Sequence, residues 1–280
     1  MNQLRDKWNQ WNDCLNGGDV NSIANQLARM TWDITAFRVL VEAHQSASEG
    51  DATTRRFNGF PFHLLHKCFS ESLLFSFRRL MDGYGLDGKQ GVYSLRSLLD
   101  DLISYSHLLT REAVVRVTSE ALEPASGQQD DDFVRDAETS RNITIDQVIG
   151  VEENSRSHRD RIPKKIFKDK RDKLVKYFKS VEILVNKLIA HAATPTSREN
   201  ADSQPPCFEE LYKFHEELCK TAHFIQGLIT NEMDLSFLPT ISPGREEYEE
   251  LARPLISDAD IPRLEQRWQE FADQYKSWSG

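Results

Sequence analysis

Apolar residues recur along most of this chain at steps of three and four, and no stretch alternates strictly enough to predict a strand. Leu4, Trp8, Trp11 and Leu15 form one such stripe, closed by Gly17-Gly18, a natural helix stop. Ile23, Leu27, Met30, Ile34, Phe37 and Val41 continue on one face of a second helix. The segment from about Pro61 to Asp82 is apolar on nearly all sides, which predicts a central helix buried by several neighbours. Ser94 stands ready to cap a helix carrying Leu95, Leu98, Leu99, Leu102, Ile103 and Leu109. Leu174, Phe178, Val181, Val185 and Leu188 make a later stripe, ended at Ala192–Pro195 because the residue before a proline avoids helical backbone. A helix is expected from about Cys207 to Asn231. A last, Asp-capped one has Pro262 near its first turn and Leu264, Trp268, Phe271 and Tyr275 as its face.

The pattern predicts an all-α protein: a helical bundle over residues 1–235 and a C-terminal helical tail over 236–280. A polar excursion, about 123–161, interrupts the bundle. Its text, EPASGQQDDD followed by NITIDQVIGV, reads as a partly disordered loop holding at most a short helix or turn.

Bulk properties exclude several classes. No apolar run reaches the roughly 20 residues that span a bilayer, so no membrane partner is expected. The N-terminus, MNQLRDKWNQWNDCL, lacks the basic start and apolar core of a signal peptide, which predicts a cytoplasmic protein. Cys14, Cys68, Cys207 and Cys219 are scattered without zinc-ligand spacing and read as buried structural thiols. No phosphate-binding glycine loop and no His-Glu-x-x-His pair occurs. His63 and His66, three apart, lack a recognisable third ligand. Neither a metal nor another cofactor is therefore expected.

Charge is unevenly spread. The net charge of -9 argues against a protein that coats nucleic acid indiscriminately. Yet between Arg156 and Lys179 eleven basic residues face three acidic ones. Lys164, Lys165, Lys168 and Arg171 lie within this run and are the candidate RNA contacts. The plainer reading of the run is a solvated helix face.

The segment Val185 to His191, VNKLIAH, resembles the signature of the HEPN family, in which Arg, four to six residues and then His recur, often as Arg-Asn-Lys-x-x-Ala-His. Asn186, Lys187, Ala190 and His191 match it. FRRLMD (Phe77 to Asp82), the glycine loop after it, and SLRSLLDDL (Ser94 to Leu102) look like early helices of the abortive-infection AbiU-like branch. By helix order the likeness runs from about Pro61 to Asn231. It implies a HEPN-like helical bundle, a homodimer, and a place in toxin–antitoxin or phage-defence systems with an antitoxin or other protein partner. It also implies metal-independent RNA cleavage, by attack of the ribose 2′-hydroxyl on the adjacent phosphate. His191 would move the proton, since an imidazole titrates near ~6.5. Asn186 would position groups, and Lys187 or Arg79 would supply charge.

The family arginine falls on Val185. A forked, permanent cation can hold phosphate oxygens, and valine cannot. Losing one such donor typically costs on the order of a hundredfold in rate. Lys187 lies four residues before His191, on the same helix face, and Arg78 or Arg79 offers a second replacement. Three readings follow: a HEPN-type ribonuclease with a weakened site, a non-catalytic HEPN-like RNA-binding or protein-interaction scaffold, and a helical regulator without a nucleic-acid role. Two plainer placements stand beside them. His191 fits the C-terminal dipole of its helix, and Arg79 fits an ion pair with Asp82 at i+3.

Overall fold

The computed structural model describes residues 2–49, 59–87, 91–122, 131–185 and 207–230, together with Gln266. Eight α-helices and two short 3₁₀ turns make up the described residues, with no strand among them: the protein is an all-α bundle. The helices are α1 (Asn2–Asn16), α2 (Ile23–Glu49), α3 (Gly59–Leu80), α4 (Leu95–Tyr105), α5 (Arg111–Leu122), α6 (Asp131–Ile149), α7 (Lys164–Leu184) and α8 (Phe208–Thr230). The chain divides into two compact units, Met1–Phe37 with His66–Pro239, and Arg38–Leu65 with Thr240–Gly280. In the second, His44 stacks on Phe62 with ring centroids 4.0 Å apart. The tail helix with Leu264, Trp268, Phe271 and Tyr275 lies outside the described residues.

The predicted stripes carry the core of the first unit. On α1, Leu4, Trp8, Trp11 and Leu15 are all buried. The helix stops where expected, at Gly17, whose N–H bonds the Asp13 carbonyl at 2.9 Å and where any Cβ would collide with that same carbonyl. Ser94 caps α4 by accepting the Ser97 N–H at 3.0 Å. The hydroxyls of Ser94 and Ser97 both donate to the Asp82 carbonyl beyond the end of α3, so the cap also ties the two helices together.

Four expectations need correction. The central helix is α8, not α3. Over its last turns Thr221, Ala222, Ile225, Gln226, Gly227, Leu228 and Ile229 are all buried, and α1, α6 and α7 each pack on it. Helix α3 buries Leu73, Leu74, Phe77 and Leu80 but leaves Phe75 exposed, as it does Leu64 and Leu65 in the second unit. The stripe running to Leu109 breaks after Tyr105 into a 3₁₀ turn, Ser106–Leu108, and α5 follows as a separate helix. The excursion holds α6, nineteen residues long, whose inward face carries Arg141 and Ile145. An arginine on the buried face hides the apolar period from the sequence. Finally, only Cys14 of the four cysteines is fully buried; Cys68 and Cys207 are exposed.

After α6 the chain turns at Gly150, whose φ of 72° only glycine adopts without strain. It then crosses to α7 along a laced path. Arg111 N–H bonds Asp160 O at 2.7 Å, Ile162 N–H bonds Leu109 O at 3.1 Å, and Thr110 and Arg161 form an antiparallel bridge. The Arg111 side chain, 4% exposed, pairs with Asp146 at 2.7 Å and Asp160 at 3.0 Å, while Arg156 takes the other Asp146 oxygen at 2.6 Å. This ion network, with Arg111 buried at its centre, fixes where α7 begins.

Candidate functional site

Helix α7 supplies the positions of greatest interest. Its inner face, Phe167, Leu174, Phe178, Val181 and Val185, is buried against α4 and α8. Val185 is 0% exposed and belongs to the hydrophobic core. The position where the resembled motif has its arginine therefore faces inward. Asn186, Lys187 and His191 lie outside the described residues.

The basic run divides by partner. Arg171 donates to Asp100 on α4 at 2.9 Å and to its neighbour Asp172 at 2.8 Å. Lys173 pairs with Glu217 of α8 at 2.6 Å, and Arg156 is spent in the network around Asp146. Lys170 lies 4.1 Å over the Phe224 ring, and burial pushes its ammonium below the ordinary lysine range. These four hold the bundle together. Lys164, Lys165, Lys168, Lys176 and Lys179 behave differently: each is exposed, and none reaches ion-pair distance of a described carboxylate. By helical periodicity they fall within an arc of about 120° on the face opposite the core. Arg159 and Arg161, on the approach to α7, are exposed as well. Of the candidate RNA contacts, Lys164, Lys165 and Lys168 thus share an open face, and Arg171 is a pin between α7 and α4.

Arg79 is exposed near the end of α3. It forms no ion pair with Asp82; instead the Asp82 N–H bonds the Arg79 carbonyl at 3.3 Å and the Asp82 carboxylate accepts the Tyr84 N–H. His66 packs edge-on against Phe37 and Phe208.

One polar cluster has no clear signature in the sequence. His215 on α8 brings Nε2 to 3.0 Å from Thr31 Oγ1 and 3.4 Å from Cys219 Sγ. The Thr31 hydroxyl donates to the Leu27 carbonyl, so Nε2 carries the proton toward Thr31. Burial pushes the imidazole down to about 4 and the Cys219 thiol up to about 11. A neutral imidazole beside a neutral thiol is the reverse of an activated nucleophile, which needs the thiolate. The i,i+4 spacing of His215 and Cys219 was the available signal; the partner on α2 was not.

Among the described residues no group of three or more His, Cys, Asp or Glu side chains could hold a metal ion. No helix there is long and apolar enough to cross a membrane. Comparison of the chain with family models, curated proteins and solved structures finds no match in any of the three.

Proposed function

We propose that this chain is a non-catalytic HEPN-like module that binds RNA within a toxin–antitoxin or phage-defence system. The carrying observation is Val185. It occupies the motif's arginine position and is fully buried in the core, where a phosphate-holding cation could neither sit cheaply nor reach a substrate. Lysines open on the opposite face of the same helix support the RNA-binding half of the reading. The defence setting, a protein partner and homodimeric assembly are supported by the resemblance of VNKLIAH, FRRLMD and SLRSLLDDL.

The test is incubation of purified full-length protein with labelled RNA, alongside growth of cells expressing the parent chain or His191→Ala. The expected result is intact RNA and equal growth at matched protein levels. RNA cleavage that disappears in His191→Ala would overturn the reading and assign a weakened ribonuclease, with His191 as acid/base and Asn186, Lys187 or Arg79 assisting.

A further inference from the structure

We propose that the outer face of α7 is a base-blind site for the phosphate backbone of an RNA strand, formed by Lys164, Lys165, Lys168, Lys176 and Lys179. This rests on the RNA-binding reading above and assigns it a surface.

Three observations converge on that face. The five lysines line one side of a single helix over about fifteen residues, or roughly 22 Å at the rise of an α-helix. A straight row one helix wide fits a single strand. Exposed cations without an ion pair to a described carboxylate occur elsewhere, Lys67 on α3 and Arg116 on α5 among them, but on α7 five of them share one face. On α8, Lys213 and Lys220 are each tied to a glutamate four residues earlier, Glu209 at 3.4 Å and Glu216 at 2.6 Å. On α7 two carboxylates fall within the arc: Asp172 is already held by Arg171, and Glu182, in the last turn, pairs with none of the five lysines.

Position along the helix adds a second argument. Lys164 and Lys165 occupy the first turn, which has no acidic residue, although a helix dipole favours acids there and disfavours cations. Helix stability does not account for them; attraction of an external polyanion does. The chain as a whole is acidic, so this local excess is not a by-product of general basicity.

What the face lacks sets its specificity. No aromatic ring among the described α7 residues is free to stack on a base: Phe167 and Phe178 are buried, and Tyr177 stacks on Phe214. No asparagine or glutamine interrupts the described helix to read a base edge. Lysines alone contact phosphates as point charges, without sequence information.

The experiment is fluorescence anisotropy of the full-length protein with labelled single-stranded RNAs of uniform and mixed sequence, over a salt series. Five neutralised phosphates predict a loss of roughly a hundredfold in affinity between about 50 and about 200 mM salt, alike for every sequence. The triple substitution Lys164→Ala, Lys168→Ala and Lys179→Ala should weaken binding to all sequences and reduce that salt effect to less than about tenfold. The control pair Lys213→Ala and Lys220→Ala on α8 should change neither. Binding that the triple variant retains in full, or that discriminates strongly between sequences, would overturn the assignment to α7 while leaving RNA binding in place. No binding by the parent protein at low salt would overturn both. RNA cleaved by the parent but bound through these lysines would sustain this site and overturn the non-catalytic reading.

Discussion

Arg141 is a buried cation with no carboxylate beside it among the described residues. It is 1% exposed, and its guanidinium donates to the carbonyls of Gly227, Leu228 and Ile229 at 3.0, 2.6 and 3.2 Å, in the last turn of α8. Among the described residues those carbonyls have no partner within the helix, and the negative end of the α8 dipole balances the charge. Burial pushes the guanidinium down to about 10, which leaves it charged at neutral pH. Arg141→Leu should therefore cost about 3 kcal/mol in urea unfolding, through lost bonds to a charged donor and stranded acceptors. Arg141→Lys keeps the charge but not the fork, and should recover less than half of that loss. Val185→Arg makes the converse point. An unpaired guanidinium forced into the core should lower stability by roughly 3 kcal/mol or more, read as a large drop in melting temperature. An unchanged melting temperature would mean that the side chain escapes to solvent, and would reopen the catalytic reading.

At the scale of elements, legibility followed the purity of the apolar period. Helices α1, α2 and α8 are plain because Leu, Ile, Trp and Phe hold most inward positions, although Lys7, Gln26, Thr31 and Gln226 are buried beside them. Helix α6 is hard to read because Arg141 stands at a core position and Ile145 is its only fully buried apolar residue among those described. The break between α4 and α5 is hidden because Leu109 continues the apolar spacing of Leu102 and Ile103, although it sits in a turn. The lysine face was legible only as a run of charge. Which of its members are open depends on Asp100 and Glu217, brought from other helices. The ion network that joins α5, α6 and the approach to α7 was not legible at all, since it links residues up to 49 apart. Asp146 is its hub: bonds from Arg156 and from Arg111 hold its carboxyl below the usual range. Asp146→Asn leaves Arg111 short of charge in a buried setting and should cost about 3 kcal/mol, measurable by chemical denaturation at pH 7. A loss confined to a few tenths would mean Asp160 suffices.

For the whole molecule the same groups predict a two-stage response to acid. His215 is held down to about 4 by burial, whereas an unfolded histidine titrates near ~6.5. Below that value the unfolded chain takes up a proton that the folded chain refuses. Its contribution to stability falls as pH drops from about 6.5 toward 4, then levels off, for a total of about 3 kcal/mol. Asp146 and Asp87 act lower. Their folded values are depressed, so their contribution is complete above the unfolded value near ~3.9 and is lost as pH falls through the lower folded one. Urea midpoints between pH 7 and 4.5 should decline in the parent protein and decline less in His215→Gln. Parallel declines would exclude His215 as the source. The lacing of residues 158–162 to Leu109–Glu112 has a further consequence, which is one of phase. Each residue added to a helix turns it by about 100°, and the clamp leaves only Pro163 between Ile162 and the first residue of α7. Lengthening that step by one residue would put Lys173 where Leu174 is buried and Phe178 where Lys179 meets solvent. The count of residues in a short, tightly bonded connection thus decides whether this helix shows the outside world its charge or its grease.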